Sequence, residues 1–569
     1  MTMAAQIPGR PGLALWLAVW RDKLVMRVSI VALIIVLFTA IALPLGVLLV
    51  KSVQDKSGQF VGLANYVQYL STPSLVESLW NSVWIALLST TIVVALAFGY
   101  AYALTRTQMP LKGLFTAISM LPLFAPSLLP AISFIYIFGN QGFLKDWLMG
   151  ASVYGPIGIV LSQTFYCLPH AVLILTTALG LADGRLYEAA ETLGTSATRV
   201  FWTITIPGIK YGIVSAVFVV FTLVITDFGI AKVIGGRFNV LATDAYKQVI
   251  GQQNFAMGSV VGFILLLPAV LAFAVDRVMQ KRQVAQLSAR AVALIPRRRA
   301  VVDALLFIFC TSVAVLIVGV IGVAVWASFV TYWPYNLALS VKWYNFSEFE
   351  PTGWGPYFTS IKMSLIAASA GTAVVFTGAY LIEKGDGFRL GRTLAHFLAM
   401  LPMAVPGLVL GLGYVFFINA PWNPLNMFYG TLALLAVNTI AHVYTTAHVT
   451  AVTALKQIDR EFEAVSASLQ VPFYRTFMRV TVPICMPAIL DIAVYMFVNA
   501  MTTVSALIFL YGANTKLAAI SIVHMDESGA TAAAAAMATM IVLTAIGVKA
   551  LHLLLNHFIF NRMQDWRRR

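Results

Sequence analysis

Runs of about 20 apolar residues recur along the whole chain, and each is long enough to cross roughly 30 Å of hydrocarbon as a helix. Inside lipid every backbone N–H and C=O must be satisfied within the segment or its closed neighbours, which leaves helices and closed barrels. The runs here are continuous rather than alternating in polarity, so barrel strands are excluded. We read twelve spans. The first six centre near Leu37, Ile92, Leu128, Val172, Val220 and Leu267, and the second six near Ile317, Ser369, Leu408, Ile440, Val498 and Met540. Only 10% of the residues are charged and 60% are hydrophobic, against about a quarter charged in a soluble domain. The expected fold class is an all-α polytopic membrane protein.

The few charges are not spread evenly. Arg10, Arg21, Lys23 and Arg27 precede the first span, and Arg106 and Lys112 follow the second. Lys281, Arg282, Arg290 and Arg297 to Arg299 follow the sixth, and Arg562 and Arg567 to Arg569 end the chain. With six spans before the central basic stretch, all of these segments fall on one side, which the positive-inside rule assigns to the cytoplasm together with both termini. Loops on the other side are balanced by acids, as in Lys51/Asp55, Lys145/Asp146 and Asp526/Glu527. Topology thus accounts for the net charge of +15, and no nucleic-acid partner is implied. The stretch before Val28 lacks the short apolar region and cleavage site of a signal peptide. Leu13, Trp16, Leu17 and Trp20 fall at helical spacing, as in a short interfacial helix. Cys167, Cys310 and Cys485 lie far apart in or beside spans, with no disulfide framework and no metal site.

The chain is also an internal repeat. Asp183 and Asp459, Leu193 and Leu469, Arg199 and Arg475, Phe201 and Phe477, and Pro207 and Pro483 are each 276 apart. Pro122 and Pro402, and Pro126 and Pro406, are 280 apart, and Tyr102 and Tyr380 are 278 apart. A fixed offset of this kind decides architecture. The expected organisation is a cytoplasmic segment 1–27, a first membrane domain 28–280, a basic linker 281–300, a second membrane domain 301–560 and a basic tail 561–569. Six spans per half make the two repeats parallel, and such repeats place substrate pathways at their interface. Proline removes a backbone donor, so Pro122, Pro126, Pro402 and Pro406 mark either packing kinks or the lining of a pathway or gate.

Between the fourth and fifth spans of each half lies a polar amphipathic helix. Leu186, Ala189, Ala190 and Leu193 fall at i, i+3, i+4 and i+7, on one face. Asp183 suits the N-cap and Gly194 the C-terminal stop. Phe462, Val465 and Leu469 repeat the pattern. An amphipathic helix with small residues on its face suits another protein's groove.

Glu188, Ala189 and Ala190, with Gly194 four residues on and then Ile204 and Pro207, resemble the loop that type I ABC importer permeases carry in each membrane domain. The resemblance implies a type I permease fold. It implies that each loop docks an ATPase subunit through Glu188, Ala189, Ala190, Gly194, Ile204 and Pro207, and through Phe462, Glu463, Ala464, Leu469 and Pro483. The second copy departs from the motif: Glu463 stands one residue earlier relative to its proline, and Gln470 replaces the glycine. One residue turns a helical side chain by about 100°. No phosphate-binding loop of the G-x-x-x-x-G-K-[ST] kind occurs. The chain itself is therefore expected to be no enzyme and to bind no cofactor, with ATP and Mg on two partner ATPase subunits. A periplasmic solute-binding protein would deliver substrate, in a bacterial inner membrane, and transport would proceed by alternating access.

Residues 226–236, 246–254 and 499–505 resemble permeases of 2-aminoethylphosphonate importers. Fused permeases of this length also resemble those for ferric iron and thiamine. Asp227 and Lys232 are the oppositely charged residues at the fifth span, but a spacing of five puts them about 140° apart on a helix, too far to pair. With Asn499 and Thr503 they are candidate pathway residues. Asp491, His170, Asn438, His442 and His448 are further polar positions for which bonding between helices is the simpler expectation. An ion-driven secondary transporter also has twelve spans in two halves, but would have no use for a duplicated docking helix. A membrane enzyme would need converging acid, base or metal ligands, which this spacing does not supply.

Overall fold

The computed structural model describes residues 13–286, 294–459 and 461–564, with side chains for 21–279, 294–459 and 461–558. Arg10, Arg290 and Arg567 to Arg569, and the side chains of Trp16, Trp20, Lys281, Arg282 and Arg562, lie outside the described residues.

The chain is an all-α polytopic protein. Among the described residues nine helices are long and apolar enough to cross a membrane, and three bent helix pairs bring the number to twelve if each counts as one span. Each of the twelve expected centres falls in one of them. The N-terminal helix Leu13–Leu37 runs directly into the first span, so no separate interfacial helix forms. The sixth-span helix Phe255–Gln286 continues past residue 280, into what the sequence suggested was linker. Among the described residues the one sheet is a two-stranded hairpin, Val330–Tyr332 with Asn336–Leu339, after the seventh span.

The three bends have identifiable causes. The third span, Lys112–Phe124 and Leu128–Phe138, turns by 101°, and the ninth, Arg389–Ala404 and Gly407–Ile418, turns by 114°. A proline pushes the residue before it out of the helical region. Ala125 before Pro126 and Val405 before Pro406 are accordingly extended, at ψ 140° and 116°. The paired prolines therefore break these spans outright instead of kinking them. The eleventh span, Phe473–Ile484 and Met486–Thr502, turns by 79° at Cys485, two residues before Pro487. Its counterpart, Ala197–Thr226, has Tyr211 at that position and is continuous.

Within each half the second, fourth, fifth and sixth helices form one bundle, and the bundles correspond across the repeat. The first spans are exchanged. The first span packs against the eighth and ninth as well as its own sixth, and the seventh packs against the second and third as well as its own twelfth. Two hydroxyls fix this exchange. Ser133 Oγ donates to the Val320 carbonyl at 2.7 Å, and Tyr414 OH donates to the Ala40 carbonyl at 2.7 Å. Ala40 and Val320 are 280 apart, the same offset as the broken prolines.

Candidate functional site

The two polar loops fold alike. The first helix is Gly184–Thr192, with the Asp183 carboxylate accepting from the Arg185 N–H at 3.1 Å, as an N-cap should. It ends with Gly194 at φ +65°, Gly194 N–H bonding to Glu191 O and Thr195 N–H to Ala190 O, both at 2.9 Å. This is a Schellman motif. The second helix, Glu461–Ser468, ends identically on Gln470 at φ +58°. There Gln470 N–H bonds to Ala467 O at 3.1 Å and Val471 N–H to Ser466 O at 2.9 Å. Gln470 thus occupies the place of Gly194 in conformation as well as in register.

The helix faces are uncovered by the chain itself. Leu193 is 82% and Leu469 70% exposed, and Leu186, Phe462 and Val465 are exposed with them, whereas Ala190 is buried at 6%. Glu188, Ala189 and Ala464 are exposed as well. Ile204 is half-buried in the turn Phe201–Thr205, and Pro207 and Pro483 stand exposed at the start of the following helices.

Each loop is held to its bundle by an aromatic clasp. Phe201 packs on Phe98 and Tyr102 at ring distances of 5.9 and 6.1 Å, and Phe477 on Phe376 and Tyr380 at 5.9 and 4.7 Å. A second clasp differs between the halves. Arg106, at the end of the second span, sits 4.8 Å from the Tyr187 ring and donates to Leu179 O at 3.0 Å. Its counterpart Lys384 instead pairs with Glu463 at 3.3 Å and donates to Ile458 O at 2.8 Å. Glu463 is 276 from Tyr187, not from Glu188. The side chain grouped with Glu188 by sequence is turned inward to a lysine only 3% exposed, while Glu188 stays free at the surface. The one-residue offset is therefore a change of partner, from an arginine–tyrosine contact to an ion pair. Glu191 on the first loop is bonded by Arg297 of the linker.

Between the halves lies a polar cavity of about 100 Å³. Ser127, Tyr166, Asp227 and Gly229 line it from the first half, and His442, Asn499, Thr502, Thr503 and Ser505 from the second. Most of these are repeat partners: Tyr166 with His442, Asp227 with Thr503 and Gly229 with Ser505 are each 276 apart. Asp227 and Thr503 both cap the C-terminus of a helix, at ψ 127° and 136°. Ser127 and Gly407 are 280 apart, so one serine–glycine contact is reversed between the halves. A Cβ on Gly229 would meet Ser127 Oγ at 2.5 Å, and one on Gly407 would meet Ser505 Oγ at 3.0 Å. Asp227 accepts from the Ile230 N–H at 2.9 Å and from Gln163 Nε2 at 3.2 Å.

Of the expected pathway residues, the fold gathers Asp227, Asn499 and Thr503 at this cavity. Pro126 and Pro406 lie one residue before Ser127 and Gly407, and Pro122 and Pro402 open the preceding turns. Lys232 is elsewhere: it reaches across to Glu527 of the other half and lies 4.8 Å over the Tyr246 ring. Next to that contact, burial pushes the Asp526 carboxyl up to about 6 despite its bond to Thr531. Asn438 donates to Ala506 O at 2.7 Å, Asp491 pairs with His552 at 3.2 Å, and His448 meets His396 at 3.3 Å, all contacts between helices. Tyr166, Gln163 and Lys384 were not singled out from the sequence, and Arg106 was read only as an orientation charge. Tyr166 and His442 share the repeat offset, which was the one available signal. Among the described residues no group of three or more His, Cys, Asp or Glu could hold a metal ion.

Residues 91–284, the second to sixth spans, match the family of binding-protein-dependent transport system inner membrane components. That match lies in the first half of the chain. Similarity to transport permeases extends beyond it. A ferric transport system permease protein of Actinobacillus pleuropneumoniae is 26% identical over 93% of this chain and 77% of its own. A permease from Haemophilus influenzae, named provisionally for ferric transport, is 27% identical over 87% of this chain and 79% of its own. A molybdenum transport permease of Mycobacterium tuberculosis is 29% identical over 36% of this chain and 79% of its own. Neither ferric likeness stops within the first half, so it spans both halves.

Proposed function

We propose that the chain is the membrane-spanning subunit of an ATP-driven importer, with both permease halves fused and hydrolysis on two separate ATPase subunits docked at its cytoplasmic face. The duplicated loop carries this reading. Two equivalent helices, each with an uncovered apolar face and each clasped to its own bundle, are what two copies of one partner would grip. Closing the partner dimer would draw the loops together and rock the halves about the interface cavity. A solute-binding protein would supply the substrate from the opposite side. We assign to coupling the exposed residues Glu188, Ala189, Gly194, Phe462, Ala464 and Leu469. Ala190, Ile204, Pro207 and Pro483 shape the loops, and Glu463 anchors the second.

For the substrate, ferric iron is the better-supported choice. The relatives that cover most of this chain carry that name, and no relative reported above speaks for 2-aminoethylphosphonate. The test is ATPase activity of the reconstituted complex with its binding protein empty, loaded with ferric iron, or loaded with 2-aminoethylphosphonate. Stimulation by the ferric form alone supports the choice. Stimulation by the phosphonate form alone reverses it. Failure of any ATPase subunit to associate removes the importer reading.

A further inference from the structure

The interface cavity has an uneven charge. Asp227 is its one carboxylate, and neither lysine nor arginine is among the residues that line it. Lys232, the nearest lysine in sequence, is committed to Glu527. The Asp227 oxygen nearest Gln163 and Ile230 is held in place by two donors, so the carboxylate is fixed where the helix of the fifth span ends. Opposite it the second half contributes only neutral oxygens and an imidazole: Thr503, Asn499 and His442. The Nδ1 atom of His442 has no hydrogen-bond partner among the described residues. Asn499 spends its amide N–H on Tyr495 O at 2.9 Å. A carboxylate in a confined polar cavity between apolar helices concentrates cations and repels anions.

We propose that this cavity is a transit site for a positively charged group, metal cation or ammonium, and that Asp227 sets the preference. The proposal rests on the permease reading and deepens it. With one carboxylate and a ring of hydroxyls the site attracts a cation without chelating it, and passage requires binding weak enough to release. A free oxyanion finds no positive partner there and meets Asp227 instead.

The test uses the full chain alone, so that it does not depend on the ATPase or on the binding protein. Cys167, Cys310 and Cys485 are replaced by alanine, Thr503→Cys is introduced, and its modification is timed with aminoethyl methanethiosulfonate, a cation, and sulfonatoethyl methanethiosulfonate, an anion. Rates are normalised to a small free thiol. The cation is expected to react at least about tenfold faster than the anion, and adding Asp227→Asn or Asp227→Ser should bring the ratio near one. Equal rates with Asp227 present, or a faster anion, overturn the proposal even if the Asp227 variants fail to fold. A preference that survives both replacements moves it away from Asp227. Labelling by neither reagent overturns the transit site. Failure of the permease reading is seen separately, as lost ATPase association.

Discussion

Gln470 holds a backbone conformation that suits glycine, and the helix still ends as its twin does at Gly194. A left-handed non-glycine residue costs on the order of 1 kcal/mol. Gln470→Gly is expected to stabilise the second loop by about that amount, read as slower hydrogen exchange across residues 461–476. A Cβ on Gly194 would meet nothing within 4 Å, so the penalty there is conformational rather than steric. Gly194→Gln should therefore keep most of the coupling between ATP hydrolysis and transport. Gly194→Val, β-branched and poorly suited to positive φ, should lose it. Equal loss in both would mean that the glycine surface itself is gripped. Lys384 and Glu463 offer a second comparison. Lys384→Gln leaves a partly buried carboxylate without its cation, at a cost of about 1 to 3 kcal/mol, and should loosen the second loop. The double change Lys384→Arg with Glu463→Tyr copies the first half and should restore transport.

At the scale of elements, the two halves are not mechanically equal. The fifth span runs unbroken from its loop to Asp227, whereas the eleventh bends by 79° at Cys485. Pro487 lacks the N–H that would bond to Pro483 four residues back. Pro487→Tyr, the residue at the matching place in the first half, should straighten this span. Spin labels at Leu193 and Leu469 would then show a smaller ATP-driven change in separation, and transport should fall more than ATP hydrolysis. No change in the distance would show that the bend is rigid. Much of this level was legible beforehand. Apolar run length marks the spans, because length alone decides whether a helix crosses, and Pro126 and Pro406 mark two of the three breaks. The consequence of Pro487 was hidden, because proline near a helix start is ordinary and only comparison with Tyr211 shows what it does. The clasps were also hidden. A repeat offset names equivalent positions, but Arg106 and Lys384 find their partners through a turn of the chain that no local pattern encodes. Glu463 shows the same limit: its one-residue offset from Glu188 is plain in the sequence, but the lysine it turns to is not.

At the scale of the molecule, the halves are bound by exchange of their first spans and by a shared cavity. Ser133 and Tyr414 secure the exchange from opposite sides. Hydrogen bonds between membrane helices average about 0.6 kcal/mol, so Ser133→Ala and Tyr414→Phe should each lower stability by roughly that much. Lying on separate contacts, the two losses should add, as measured by unfolding in mixed detergent. A loss well above the sum would mean that the exchange is cooperative. Asp227, His442 and the pair of capping positions could be picked out along the chain, but their convergence could not, since it depends on how two bundles of six spans face each other.

The exchanged spans set a timetable for assembly. The first span ends at Ser52, and the ninth span that receives it begins at Arg389. At about 5 to 20 residues per second of synthesis, the first span waits roughly 20 to 70 s for that partner. During that interval it has its own sixth span, Phe255–Met279, to pack on, and lipid covers the rest. It and the seventh span are the most apolar of the nine unbent spans, and also the least covered by protein in the finished molecule. Both can sit in lipid with little protein around them, and the ribosome delivers each of them at the start of a half.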